Sequence, residues 1–228
     1  MATTSIIFSG AFSSTWNGSS FDASQSLTVP AGTDWLIIRQ GGGAGTGYSG
    51  LTFNGSSLTL GVTQSDGNGN GSHIWVLQSP TIGTLDLYGN SGGAERTAFL
   101  VVDAVSNAGA IRGYASSGGY SFGSRSVSIT TEADDLVLDS MATTASEPTL
   151  TPNTGQIAGT AIFGRQRPSS KTATGTSTTM GWTHSPNSWT ALGVIAIEDG
   201  TPAGPNTPVN PSITNLLATS ARLNWEQG

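Results

Sequence analysis

Apolar and polar residues alternate in short runs along most of the chain, and turn-forming residues separate these runs. The run 34–39 contains consecutive apolar residues, which predicts a strand buried on both faces. The run 125–130 alternates with a period of two, which predicts a strand with one buried face. Similar runs predict strands at 5–8, 51–60, 73–77, 84–88, 97–103, 135–139, 178–183 and 191–197. Because no segment shows a helical period, the pattern predicts an all-β fold, an antiparallel, jelly-roll-like β-sandwich rather than βαβ units.

Glycine and asparagine mark the predicted turns. Asn54 and Gly55 lie between two alternating segments, and both tolerate the positive φ that a type I′ hairpin turn requires. The glycine-rich stretches 41–47 and 67–71 are predicted to be loops. The polar stretch 166–175 is predicted to be a long exposed connection.

Composition changes after residue 199 and divides the chain into three parts. Residues 1–199 are predicted to form the β-sandwich domain. Residues 200–210 are rich in proline and have the character of a semi-rigid linker. Residues 211–228 are predicted to form two more strands.

The chain carries few charges for its 228 residues, with 8 Lys and Arg against 14 Asp and Glu and a net charge of −6. With a single lysine, Lys171, it lacks the basic stripe that a nucleic-acid backbone requires, and anionic membrane surfaces are disfavoured for the same reason. No apolar run reaches the ~18 residues of a spanning helix, so no membrane insertion is expected. The absence of cysteine excludes disulfides and thiolate chemistry.

The N-terminal residues contain neither a basic segment nor a long apolar segment, so no signal peptide is predicted. The composition, with 32 glycines and many Ser and Thr residues, is nevertheless typical of extracellular proteins. A virion protein reconciles the two observations, because it is assembled in a host cytoplasm and meets the outside later.

The C-terminal residues resemble the start of a fibronectin type III domain. The resemblance lies in Pro211 to Leu216 and in Thr219 to Trp225, where Trp225 matches the core tryptophan of the second strand in that family. A complete sandwich of this type needs roughly 100 residues, so the resemblance implies an incomplete domain at 211–228.

The stretch 48–198 is similar to a Gly/Ser/Thr-rich β-sandwich module of phage structural proteins and bacterial surface proteins. The matching blocks, in order, are 51–60, the strand around Trp75, 99–103, 133–139, 179–182 and 189–197. This resemblance implies a non-catalytic structural or adhesive unit, often strung with fibronectin-like domains. It carries over no catalytic residues, and the first 47 residues fall outside it.

The candidate catalytic residues are few. His73 and His184 could each lie near a hydroxyl, but Ser and Thr are so frequent that this is expected by chance, and no nucleophile elbow is present. His184 is predicted to lie in a turn between two strands. Asp134, Asp135 and Asp139 cluster locally, as do Glu198 and Asp199, and Asp135 and Asp139 share strand parity. A hydrolase acting through that face stays open as an alternative, but the prediction is that the chain is not an enzyme.

No cofactor is predicted. The stretch 66–71 matches the first half of a calcium-binding loop, but its twelfth position is Leu77 where a bidentate Glu is needed. We predict a hairpin loop there and leave calcium binding open. The stretch 41–47 lacks the lysine and the following helix of a phosphate-binding loop.

Four aromatic residues in Gly/Ser-rich segments are predicted to be exposed on loops and to contact a glycan or a partner: Trp16, Tyr48, Tyr114 and Tyr120. Most of the tryptophans, Trp189 among them, are instead predicted to pack in the core.

The sequence predicts a non-enzymatic virion structural protein, namely a phage head decoration, spike or tail-associated surface module that docks to the particle and projects adhesive domains. The expected partners are capsid or tail proteins, a host surface glycan and further copies of the chain as a homo-oligomer. The alternative is a carbohydrate-binding module of a secreted enzyme or a cell-surface adhesin.

Overall fold

The computed structural model describes residues 3–15, 23–42, 50–90, 97–145, 148–162 and 165–200. These residues form antiparallel strands, and no helix occurs among them, which confirms the predicted all-β class. The strands are β1 Ser5–Thr15, β2 Ala23–Val29, β3 Trp35–Gly41, β4 Gly50–Phe53, β5 Ser56–Ser57, β6 Thr59–Ser65, β7 Gly71–Gln78, β8 Gly83–Asn90, β9 Thr97–Ser106, β10 Ala108–Ser121, β11 Ser124–Thr130, β12 Leu136–Thr143, β13 Thr149–Pro152, β14 Ile157–Ala158, β15 Gln166–Thr172, β16 Ser177–Ser185 and β17 Ser188–Asp199.

The strands form four sheets. Sheet 1 has the order β2-β8-β4-β5, and sheet 2 has the order β1-β9-β3-β7-β6. Sheet 3 has the order β10-β17-β12-β15-β14, and sheet 4 has the order β11-β16-β13. Sheets 1 and 2 therefore come from residues before Asn107, and sheets 3 and 4 from residues after it. We call these two parts unit N and unit C.

The two units have the same strand order. The five strands of sheet 2 correspond one by one to those of sheet 3, and β2, β8 and β4 correspond to β11, β16 and β13. Apart from the hairpins β4–β5, β6–β7 and β14–β15, successive strands in both units alternate between the two sheets, which is the jelly-roll arrangement. The sequence repeats as well: 26–29 reads Ser-Leu-Thr-Val and 126–129 reads Ser-Val-Ser-Ile. Each of these segments leads through a residue with positive φ, Gly32 or Asp134, into a central apolar strand.

Three apolar layers hold the four sheets together in the order 1-2-3-4. Between sheets 1 and 2 lie Leu27, Leu36, Ile38, Phe53, Trp75, Leu87 and Val102. Between sheets 3 and 4 lie Ile129, Val137, Met141, Met180, Trp182, Leu192 and Val194. Between sheets 2 and 3 lie Trp35, Ile37, Val62, Ile74, Val105, Leu136, Leu138, Ile195 and Ile197. Neighbouring residues of β3 thus enter different layers, which explains why the whole strand is buried and confirms that prediction for the run 34–39.

The rest of the contact between sheets 2 and 3 is polar. The guanidinium of Arg39 forms an ion pair with Asp103, with Nη2 and Oδ2 2.6 Å apart, and both side chains are buried. Its Nη1 also donates to the carbonyl oxygens of Asp139 at 2.8 Å and Ser169 at 2.9 Å in sheet 3. In return, the Gln166 amide donates to the carbonyl oxygen of Arg39 at 3.1 Å. These bonds join the two units through groups that are shielded from water.

The prediction of an exposed connection at 166–175 is wrong for residues 166–172. Residues Gln166–Thr172 form β15, which pairs with both β12 and β14. Gln166 and Ser169 are polar but buried, because their side chains donate to Ser140 and Asp139 in the neighbouring strand. Polar composition was therefore a poor guide to exposure in this segment.

The hairpin at Asn54-Gly55 is confirmed. Phe53 pairs with Ser56 across a two-residue turn. Asn54 and Gly55 have φ values of 48° and 77°, which is the type I′ pattern. The predicted boundary of a sandwich domain at residue 199 stays a prediction, and the linker beyond residue 200 and the segment 211–228 lie outside the described residues.

Arg39→Met is expected to lower the free energy of unfolding by about 3–5 kcal/mol, because it leaves the Asp103 carboxylate buried without a counter-charge. Urea denaturation followed by tryptophan fluorescence measures the change. The double variant Arg39→Met/Asp103→Leu is the control and should recover most of the loss, since neither member of the pair then leaves an unpaired charge. A loss below about 1 kcal/mol for Arg39→Met, the size of a surface ion pair, would contradict this role.

Candidate functional site

Three aromatic side chains, two of them exposed and one partly buried, lie together at one end of the β10–β17 pair. Tyr120 and Trp189 are register partners in these strands, and their ring centroids are 5.6 Å apart with planes at 76°. Phe122 directly follows β10, with its centroid 5.2 Å from that of Tyr120 and the planes at 78°. Phe122 is 82% exposed and Tyr120 is 46% exposed. We call Tyr120, Phe122 and Trp189 the aromatic patch.

The strand that carries the patch was not predicted. Tyr114 and Tyr120 lie on β10 and not on loops, so that part of the prediction is wrong, although both side chains are exposed as expected. Glycine is needed in β10 because a Cβ at position 118 would lie 2.3 Å from the carbonyl oxygen of Ser65. The glycine thus allows β10 to approach sheet 2 closely. Trp16 and Tyr48 lie outside the described residues.

Arg125 on β11 holds the backbone beneath the patch. Its Nη2 donates to the carbonyl oxygens of Gly119 at 2.9 Å and Tyr120 at 3.3 Å. Its Nε donates to Thr190 Oγ1 at 2.6 Å and its Nη1 to Ser117 Oγ at 2.9 Å. Partial burial lowers the pKa of the Arg125 guanidinium below its usual value. Each of its three nitrogens is therefore engaged with the protein.

The hairpin loop 66–70 supports the other side of the patch. A Cβ at Gly67 would lie 3.2 Å from Cζ3 of Trp189, so the loop backbone packs against the indole ring. Asp66 organises this loop, because its Oδ1 accepts from the amide nitrogens of Asn68 at 2.7 Å and Asn70 at 3.0 Å. The predicted hairpin is thus confirmed. In the described part of the chain, no group of three or more His, Cys, Asp or Glu side chains could hold a metal ion.

A groove runs beside β10 at its other aromatic residue, Tyr114. The ring lies over Gly61 of β6, where a Cβ would approach Cε1 within 2.1 Å. Partial burial raises the pKa of the Tyr114 hydroxyl. On one side of the ring the groove has a volume of about 470 Å³, and on the other side about 240 Å³. Residues lining the groove include Trp35, Thr59, Gln78 and Ile111 on one side and Thr63 and Ser116 on the other.

The candidate carboxylates are structural. Asp135 is 1% exposed and pairs with Arg112, with Nε and Oδ2 2.5 Å apart. Asp139 is 0% exposed and its oxygens accept four hydrogen bonds. These come from Ser169 N and Oγ, both at 2.7 Å, from Trp182 Nε1 at 2.9 Å and from Gln156 Nε2 at 3.2 Å. Both carboxyl groups are thus shielded from solvent and held in contacts within the protein.

The two histidines are also buried. His73 lies in β7, and His184 lies in β16 rather than in the predicted turn. The Nε2 of His184 forms a hydrogen bond with the hydroxyl of Ser121, and its Nδ1 is 3.1 Å from the carbonyl oxygen of Pro186. No hydrogen bond between the described residues joins a carboxylate to His184. The acidic member of a Ser-His-Asp triad is thus replaced here by a backbone carbonyl.

Phe122 and Trp189 are the functional candidates that the sequence did not suggest. Phe122 follows Tyr120 at a spacing of two, which is a same-face signal in a strand, but β10 was not recognised as one. Trp189 lies in an apolar run that points to the core. Only the pairing of β10 with β17 places these residues side by side.

Comparison of the chain with protein-family models, with curated proteins and with solved structures gave no match. Within the described ranges, no helix is long and apolar enough to cross a membrane.

The carboxyl group of Asp139 is expected to titrate near pH 6 in the folded protein, because burial raises its pKa from 3.8 to about 6, against the opposing effects of its hydrogen bonds and of Arg39. Such a group adds stability that is complete below its unfolded pKa and is lost as the pH rises through about 6. Over this window the loss is about 3 kcal/mol.

Carbon-13 NMR of the Asp139 carboxyl measures the midpoint. Urea unfolding of Asp139→Asn at several pH values is the control, because this variant should lack the corresponding pH dependence. A midpoint at or below the ordinary aspartate value would contradict the expected shift.

Gly61→Ala is expected to displace the Tyr114 ring and to lower the free energy of unfolding by about 1–3 kcal/mol, as overpacking does. The matched control is Gly113→Ala in β10, where a Cβ meets nothing within 4 Å. Urea denaturation compares the two variants. Equal stabilities would show that the ring does not depend on the glycine.

Proposed function

We propose that this protein is a non-enzymatic structural and adhesive module of a virion surface, of the head decoration, spike or tail-associated kind. One observation carries the proposal: Asp135 and Asp139, which share the candidate hydrolase face, and His184 are buried in structural hydrogen bonds, while an aromatic patch is exposed. Asp135, Asp139 and His184 are all less than 6% exposed. Phe122, in contrast, is 82% exposed. Such a surface is suited to binding and not to acid–base chemistry.

The fold agrees with this proposal by analogy. Jelly-roll sandwiches form viral capsid and lectin domains, although a fold alone does not determine a function. Stacking two such units through a shared buried face produces a rigid body with two outer sheets. The low charge, with a net value of −6, also disfavours nucleic acid as a partner.

Two exposed isoleucines on edge strands support docking to another chain. Ile7 on β1 is 41% exposed and Ile157 on β14 is 73% exposed. Strand β1 is one edge of sheet 2, and β14 is one edge of sheet 3. Edge strands that present apolar side chains are suited to pairing with another chain. We assign these two edges to contacts with capsid or tail proteins or with further copies of the chain.

The second candidate is a carbohydrate-binding module of a secreted enzyme or a cell-surface adhesin, and the aromatic patch favours it. The two candidates share a binding surface and differ in where the chain is found. A virion protein is recovered at a fixed copy number per particle, whereas a secreted module is recovered free in the medium.

Quantitative mass spectrometry of purified particles is expected to find the chain at a constant ratio to the major capsid protein. The variant Ile7→Asp/Ile157→Asp should reduce this ratio at least about tenfold, because it places a charge on each of the two docking edges. Tyr120→Ala is the control and should be incorporated normally. Absence of the chain from particles, with recovery from the medium, would contradict the virion proposal and support the secreted module.

A further inference from the structure

On the basis of the adhesive function above, we propose that the aromatic patch is a binding site for a neutral carbohydrate chain, which continues from the patch along β10 toward Tyr114. The ligand class follows from the geometry of the rings, from the charges around them and from the groups between the two sites.

The rings of the patch are held in place and remain open to a ligand. Tyr120 contacts both neighbours at nearly perpendicular angles, and the loop backbone at Gly67 packs against Trp189. The backbone of Tyr120 is also bound by Arg125. Phe122 nevertheless remains 82% exposed. A prearranged apolar surface of this kind matches the apolar face of a sugar ring, and little conformational entropy is lost on binding.

The surroundings of the patch favour a neutral ligand. Arg125 is the cation bonded to the backbone of the patch, and its Nε, Nη1 and Nη2 donate to Thr190, Ser117 and two backbone carbonyls. Asp66, in the loop that packs against Trp189, is 0% exposed. Among the described residues, a sialylated or sulfated glycan would therefore find the cation of the patch already engaged, whereas the hydroxyls of a neutral sugar require no cation.

The face of β10 extends the site toward Tyr114. Tyr114, Ser116, Gly118 and Tyr120 lie on the same face of the strand, because side chains alternate between faces. The two tyrosines are six positions apart, a distance of about 20 Å along a strand. Between them, Ser116 donates to the side-chain oxygen of Gln64 at 2.9 Å. The exposed surface between the tyrosines thus carries uncharged hydroxyl and amide groups, which suit hydrogen bonding to several consecutive sugar residues.

The patch is too small to be a stable protein interface. Three fully exposed aromatic side chains offer at most about 450–750 Å², and these three are partly covered already. A stable protein–protein contact buries about 800 Å² on each partner. The small area, the neutral surroundings and the line of uncharged groups between Tyr120 and Tyr114 together favour a glycan chain over a second protein.

The test uses the full chain on an array of neutral glycans, with sialylated and sulfated glycans as charged comparators, followed by calorimetry with the retained neutral sugars. Phe122→Ala and Trp189→Ala should each weaken binding at least about tenfold, as expected for a residue at the centre of a site. Tyr88→Ala is the matched control, since Tyr88 is a 41% exposed tyrosine on sheet 1 and its loss should change nothing. Tyr114→Ala should weaken a hexasaccharide more than a disaccharide. Circular dichroism checks that each variant is folded.

The site would be overturned if the array retained no neutral glycan or retained charged glycans alone. It would also be overturned if Tyr88→Ala weakened glycan binding as much as Phe122→Ala does.

The particle measurement separates this inference from the proposed function. A chain that is present in particles but binds no neutral glycan refutes only the site. A chain that binds neutral glycans through Phe122 but is absent from particles refutes only the virion setting.

Discussion

The buried face shared by sheets 2 and 3 is the contact on which the rest of the structure depends. Each of these sheets uses its other face to form the core of its own unit, so both are covered on both sides. Part of the shared face is apolar, with Ile37 and Leu138 among its residues. The remainder is organised by Arg39, which binds Asp103 in its own unit and two carbonyl oxygens of the other. A buried ion pair contributes little net stability by itself, and the hydrogen bonds from Arg39 to the carbonyl oxygens of Asp139 and Ser169 are the polar contacts by which it joins the two sheets.

The two units share a strand order but differ in chemistry. Ile37 pairs with Asp103 in unit N, and the corresponding pair in unit C is Leu138 with Ile195. The charged pair of the shared face is therefore supplied by unit N alone. In unit C the buried carboxylate, Asp139, is directed instead toward the core and Trp182. The two units therefore place different side chains on the same strand order.

The sequence was informative wherever a strand followed a regular hydrophobic pattern. The strand at Trp35–Gly41 and the turn at Asn54 were predicted because burial and positive φ leave direct marks on residue choice. The β10 strand was missed because glycine and serine have low strand propensity, and pairing with β17 together with the close approach at Gly118 outweighs that propensity. The aromatic patch was missed in part because it joins Tyr120 to Trp189, and register between distant segments is not a local property. The shared strand order of units N and C was not predicted, because the two units share spacing and apolar character more than identical residues.

The junction between the units has a mechanical consequence. Only Asn107 separates β9 from β10, and the chain leaves β17 beside it, where Gly200 donates to the carbonyl oxygen of Asn107 at 2.9 Å and to Thr4 Oγ1 at 3.2 Å. This exit lies at one end of the β10–β17 pair, and Tyr120 and Trp189 lie at the other end, about 33 Å away along β17. A pull applied to Tyr120 on β10 and to the residues after Gly200 is therefore directed along these strands. Their hydrogen bonds are perpendicular to that force and share it, so the pair would have to slide as a whole and could not open one bond at a time.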